Sequence, residues 1–311
     1  MKMYGVVAVL FAVVYALMSL AGMYLGMGSF LFYAGLATFF MVIQFMVGPK
    51  IVEWTMKVKY VSESENPKLH RMVEALAREA KIPKPKIGIS DSRLPNAFAF
   101  GRWKSDSRVC VTRGILELLS DDELRAVLGH EISHIKNRDV LVITLISVIP
   151  MIAWHLAWSF MFSGGDNEHG SGFMIGIAAF GIYLFTNVLV LYVSRIREYY
   201  ADRGSVALGS RPDHLASALY KLVYGTARVS KGDLKQVEGM KAFFASDPSR
   251  AYSEIRELKE LDKDMSGDID SDELRAVRRK KISMSRSEKF MEMMSTHPNM
   301  LKRIHALSMM E

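Results

Sequence analysis

The sequence predicts a mainly α membrane protein: four transmembrane helices carrying a water-facing α+β domain with a small antiparallel sheet. Three observations predict it. Half of the 311 residues are apolar and only 23% are charged, which is little charge for a soluble globular chain. Three long stretches, 3–49, 140–165 and 169–194, contain no Asp, Glu, Lys or Arg. The charge outside them is dense enough to coat a folded part of about 170 residues, which is large enough to bury its own core. A simple soluble enzyme is excluded, and so is a disordered chain, which needs low hydrophobicity and high net charge; the mean hydropathy here is +0.11.

Each span is set by length. At about 1.5 Å per residue, against hydrocarbon about 30 Å thick, the first stretch would be roughly 70 Å long as one helix, so it makes two passes. These are placed at 4–25 and 29–48, turning at Gly26-Met27-Gly28-Ser29. A cleaved signal peptide would need a small-x-small cleavage site, and none is evident. The other two stretches are spans three and four, joined by the short acidic linker Ser163–Gly170. Neither the 26–29 turn nor the linker carries a Lys or Arg, whereas Lys2, Lys50, Lys57, Arg138, Arg195 and Arg197 all fall on the opposite side. That asymmetry puts both termini and the polar part in the cytoplasm of a multi-pass cell-membrane protein. Trp54 then sits at the inner interface and Trp158 near the outer one. The net charge of +7 reads as Lys and Arg beside an anionic bilayer face, with no nucleic-acid partner expected. The single cysteine, Cys110, excludes an intramolecular disulfide.

The organisation that results is two transmembrane helices in 1–50, the first part of the polar domain in 51–138, a transmembrane hairpin in 139–194 and the second part of the domain in 195–311. In the first part, Leu69, Met72, Val73, Leu76 and Ala77 make one stripe of a helix over 66–82. Lys86–Ser90, Ala97–Phe100 and Arg108–Thr112 read as short strands.

The strongest chemical signal is His130-Glu131-Ile132-Ser133-His134. Ser120 and Glu123 form a capping box that starts a helix here. Spacing i, i+4 then aims both imidazoles at one point, as a tetrahedral Zn²⁺ requires of two ligands. Glu131 projects beside them, placed to take a proton from an attacking water. A catalytic zinc wants a third protein ligand, and Glu198 in Arg197-Glu198-Tyr199-Tyr200-Ala201-Asp202 is the best candidate. Asp202, one turn on, is placed to accept a hydrogen bond from the second ring nitrogen of a ligating histidine. His134 lies about 9 Å of helix before span three, and Glu198 about 6 Å after span four. A transmembrane hairpin brings those ends side by side.

These residues resemble an HtpX-type membrane zinc metallopeptidase of the gluzincin class along nearly the whole chain: two N-terminal spans, HEISH, a hairpin, EYYAD and STHPN. The resemblance implies a gluzincin-like catalytic domain that faces the cytoplasm and cleaves membrane or misfolded proteins in quality control. It implies one Zn²⁺ per chain on His130, His134 and Glu198, with Glu131 as catalytic base. It further implies that Asn96, Ala97, Phe98 and Ala99 form a strand lining the cleft, pairing with substrate backbone as an added strand, with Asn96 a hydrogen-bonding contact. His297 in Thr296-His297-Pro298 would help stabilise the tetrahedral oxyanion. Read without the resemblance, the first segment is an ordinary hairpin strand and the second a helix-capping turn.

One segment departs from that family pattern. Asp262 to Glu273 fits an EF-hand calcium loop: oxygen ligands Asp262, Asp264, Ser266, Asp270 and Glu273 at positions 1, 3, 5, 9 and 12, and Gly267 at the sharp turn. Asp268 adds to the acidic set, and Ile269 fills the apolar eighth position. Helices over 251–261 and 272–279 would flank it. Such loops usually work in pairs, and no second loop is evident. The methionine-rich stretch 284–310 reads as core or membrane-proximal packing. Two other functions fit parts of the pattern: a prenyl-protein endopeptidase, whose relatives carry more spans, and a non-enzymatic calcium-responsive membrane scaffold, which need not keep Glu131.

Overall fold

The computed structural model describes residues 30–162, 171–228, 254–255, 258–279, 282 and 284–311. The span expected over 4–25, the 26–29 turn and the 163–170 linker lie outside them. Of the helix expected over 251–261, only 254, 255 and 258–261 are described. The chain divides into two compact units.

The first unit comprises Met1–Met46 and Thr144–Val190. Its described helices are the N-terminal part of α1 (Phe30–Thr55), the C-terminal end of α5 (Asp139–Ile146), α6 (Val148–Phe162) and the N-terminal part of α7 (Ser171–Ala207). Among the described residues, two helical stretches, Asp139–Met161 and Phe173–Ala207, are long and apolar enough to cross a membrane. Trp154 packs against Phe180 and Tyr183, with ring centroids 6.3 and 5.1 Å apart. Gly176 lets α6 and α7 touch: a Cβ there would collide with Met161 Cγ. Ile182, Leu184, Phe185 and Leu189 point outward and stay exposed.

The second unit comprises Val47–Ile143 and Leu191–Glu311. Its helix α2 (Pro67–Ala80) starts where Asn66 Oδ1 accepts from Leu69 N and ends at Lys81 in the left-handed region, φ 56°. Strands β1 (Val58–Tyr60), β2 (Lys86–Ser90), β3 (Ala97–Gly101) and β4 (Ser107–Thr112) form one sheet in the order β1-β2-β4-β3. The expectation of an antiparallel sheet is corrected: β1–β2 and β3–β4 are antiparallel, but β2 and β4 run parallel. The reason is burial. β4 is buried along its whole length, from Ser107 to Thr112, with Val109, Cys110 and Val111 essentially unexposed. It therefore inserts between β2 and β3, and β3 is left as an edge.

After α3 (Arg113–Leu118) comes α4 (Asp121–Asn137), which opens on the Ser120–Glu123 capping box. Among the described residues, helices α8 (Pro212–Arg228), α9 (Ser271–Arg278), α10 (Arg286–Met293) and α11 (Met300–Ser308) follow. Leu128 and Ile132 of α4 join Leu219 of α8 and Ile304 of α11 in the core.

Helices α4 and α7 approach closely because small residues face each other. Ser205 Oγ donates to Ala126 O at 2.6 Å. A Cβ on Gly204 would run into Ser133 Oγ. Gly204→Ala is therefore expected to destabilise by about 1–3 kcal/mol, since overpacking forces the helices apart. A melting curve set beside a zinc titration checks it, because separating α4 from α7 weakens metal binding too.

Candidate metal centre

Helix α4 carries His130, Glu131 and His134, all more than half buried. The Nε2 atoms of His130 and His134 face each other at 3.0 Å. Glu198, on α7, reaches both: Oε2 lies 3.6 Å from His130 Nε2, and Oε1 lies 3.6 Å from His134 Nε2. Ligand atoms around a tetrahedral ion at zinc–nitrogen and zinc–oxygen lengths are about 3.3 Å apart. The three edges bracket that value, so two imidazole nitrogens and a carboxylate fit zinc in donor type and in spacing. Glu198 Oε2 is buried without a hydrogen-bond partner of its own.

The outward nitrogens are held as well. His130 Nδ1 meets Asp202 Oδ1 at 2.8 Å, and His134 Nδ1 meets Asp139 Oδ2 at 2.7 Å. Each carboxylate keeps its ring's Nδ1 protonated and turns Nε2 toward the common point. Arg303, on α11 and fully buried, ties the set together. Its Nε and Nη2 donate to the two oxygens of Asp202 at 2.9 and 2.6 Å, and Nη1 sits 3.1 Å from Glu198 Oε2.

Residues 63–311 match Peptidase family M48. The chain belongs to peptidase family M48. It is 53% identical over 232 residues to the Protease HtpX homolog of Methanothermobacter thermautotrophicus, covering 75% of this chain and 88% of that one. It is 42% identical over 238 residues to Protease HtpX homolog 2 of Methanosarcina acetivorans, covering 72% and 81%. Among solved structures, that of S. mikatae Ste24p shares the fold, with a TM-score of 0.52 at 18% identity over 96% of this chain and 67% of that one. The family match and these relatives support an HtpX-type metalloprotease.

In this M48 metalloprotease, Glu131 is 5% exposed. Burial pushes its carboxyl above the ordinary range, while the two imidazoles and a backbone hydrogen bond from Ala99 pull it back. Burial disfavours a charge on His134 and lowers its pKa, with His130 adding to the effect. Burial opposes charging His130 too, but the hydrogen-bonded Asp202 and the nearby Glu198 carboxylate prevail and raise it to about 9. The Glu198 carboxyl stays well below its usual range despite burial, because His297 and Arg303 face it.

The other anticipated residues are only partly gathered at this centre. Ala97, Phe98 and Ala99 lie on edge strand β3, with Ala99 against Glu131. Asn96 is fully buried before the strand, and its carbonyl accepts from Thr112 N at 2.9 Å. His297 Nδ1 is 3.5 Å from Glu198 Oε2, and neither ring nitrogen has a hydrogen-bond partner. Asp262, Asp264 and Glu273 bring one carboxylate oxygen each within 4.8 Å of one another, around a turn where Gly267 has φ 86°. Asp270 instead caps α9, Asp268 pairs with Lys221, and Ser266 Oγ accepts from Asp268 N at 3.3 Å. Sequence reading missed Asp139 and Arg303. Arg303 did leave a signal: it stands in the apolar stripe Met300, Ile304, Leu307.

Proposed function

We propose that the chain is an integral-membrane zinc endopeptidase that hydrolyses membrane or misfolded proteins at the cytoplasmic face. The observation carrying this is the convergence of His130, His134 and Glu198 beside an edge strand whose Ala99 backbone bonds to Glu131. The residues 51–138 and 195–311 make the catalytic part, and the apolar helices seat it in the bilayer. The excess of Lys and Arg on one side of the spans supports the cytoplasmic orientation.

Zinc held by the three side chains would acidify a bound water and polarise a peptide carbonyl. Every other step belongs to the chain. The outer edge of β3 offers backbone groups to an extended substrate, so the peptide adds as a strand across the cleft. Glu131 takes the proton of the attacking water and passes it to the leaving amine. His297 faces the same point and donates to the developing oxyanion. Asp139 and Asp202 hold the imidazoles in one tautomer.

The test is metal removal. The full chain in detergent, stripped with a chelator, is expected to lose cleavage of an unfolded, unlipidated casein and to recover it with one equivalent of Zn²⁺. Activity confined to a lipidated C-terminal peptide would move the reading to a prenyl-protein endopeptidase. A folded protein that binds no zinc would end the enzyme reading and leave the scaffold.

We also propose that the 262–273 loop holds Ca²⁺. Supporting it, Asp262 and Glu273 are both more than nine-tenths buried, and neither they nor Asp264 has a cationic side chain paired to it among the described residues. Buried carboxylates without a counter-charge are costly unless a cation joins them. Calcium at a hundredfold excess over its Kd should stabilise the chain by about 2.7 kcal/mol. A rise in melting temperature that Glu273→Gln abolishes checks it; equal melting in Ca²⁺ and in chelator refutes it.

A further inference from the structure

Helix α10 is built inside out. In a helix that rests on a water-soluble domain, apolar side chains face the protein and polar ones face solvent. Here Glu292 points inward: it pairs with Lys302, and its Oε1 accepts from Asn299 N at 3.1 Å. Phe290, Met291 and Met294 point outward, and each is more than half exposed. Spacing i, i+1, i+4 puts the three on one face. A contiguous exposed apolar face of this kind marks a contact with something other than water.

A second observation says what that something is. Arg195 Nη1 donates to the carbonyls of Glu292, Met293 and Ser295 at 2.9, 2.9 and 2.8 Å. Arg195 is the first charged residue after the charge-free run 169–194 of α7. The C-terminal end of α10 is therefore fastened to the point on α7 where the apolar run stops. Tyr192, one turn earlier and more than half exposed, lies under the same guanidinium, 5.8 Å from it to the ring centroid. An aromatic ring at the end of an apolar span is the arrangement of a membrane–water interface. Arg286 and Lys289, both exposed on α10, supply cations for headgroup phosphates.

We propose that α10 lies in the headgroup–acyl boundary of the bilayer, with Phe290, Met291 and Met294 immersed and Arg286 and Lys289 on the phosphates. This rests on the membrane-spanning reading of α7. It gives the catalytic unit a second hold on the lipid besides its spans. Ser295, held by the same guanidinium, is two residues from His297, so the helix that meets lipid adjoins the catalytic loop.

The test uses the full chain in vesicles of phosphatidylcholine and phosphatidylglycerol, with an environment-sensitive thiol probe. Cys110 does not compete for the probe, being fully buried with its thiol pushed up to about 12. Three variants are labelled: Met291→Cys, Met265→Cys as the water reference at 87% exposure, and Leu184→Cys as the span reference at 51%. Brominated acyl chains should quench positions 184 and 291 and spare 265, with 291 about 5–10 Å into the boundary region. Quenching at 184 but not at 291 would overturn the α10 proposal and leave the spans intact. A blue-shifted probe at 291 that bromine does not reach would mean protein contact, such as a second copy, and would also overturn it. Quenching at neither position would remove the spanning reading, and this proposal with it.

Discussion

Glu131→Gln should bind zinc as the wild type does and hydrolyse peptide bonds about 10²–10⁴-fold more slowly, the usual contribution of a positioned general base. The amide has the carboxylate's shape and can accept the Ala99 backbone hydrogen bond, so the packing around it is kept. It cannot take a proton from the attacking water or return one to the leaving amine. Burial already holds the Glu131 carboxyl above its ordinary range, toward the working pH, which is where a group that must both accept and release a proton is most effective. The loss should appear in kcat, with KM little changed, because Glu131 is one contact among the many that an added substrate strand makes. Metal content by elemental analysis, run beside the kinetics, separates this from loss of the ion. A variant within a few-fold of wild type would take the base role away from Glu131.

Sequence reading reached the chemistry more easily than the architecture around it, for physical reasons. His130, Glu131 and His134 lie within one and a half turns of a helix, so their spacing alone states their geometry. The Ser120–Glu123 cap and strands β2, β3 and β4 are equally local, and the structure forms them within a residue of the expected bounds. Sheet order is not local. Which strand takes the centre depends on what each face meets, and β4, buried at every position including Arg108, lies between β2 and β3. Strand β1 has only three residues and little alternation, so it left no pattern to read. Asp139 and Arg303 were missed for opposite reasons. Asp139 looks like the polar start of a span, yet it turns back onto His134. Arg303 looks like a surface cation, yet no part of it is exposed.

Arg303→Met should destabilise the protein by about 3–5 kcal/mol, the typical result of removing one partner from a buried ion pair. The guanidinium faces Asp202 through two hydrogen bonds and Glu198 through a third contact, and all three side chains are shut away from water. Without it, Asp202 retains, among the described residues, only His130 to offset its charge. The second substitution decides what kind of role this is. In Arg303→Met/Asp202→Asn both charges are gone, and most of the lost stability should return, because the penalty comes from leaving one charge unpaired. An Asn oxygen can still accept from His130 Nδ1, so the ring stays oriented. It carries no charge, so the imidazole is a poorer donor to the metal. Zinc affinity in the double variant should therefore remain about 10–100-fold below wild type even as the melting temperature recovers. Denaturant melts and a competitive chelator titration on the three proteins give both quantities. If stability and affinity recover together, Arg303 serves packing alone. If affinity stays low in a protein that is stable again, the Arg303–Asp202 pair tunes the metal ligand.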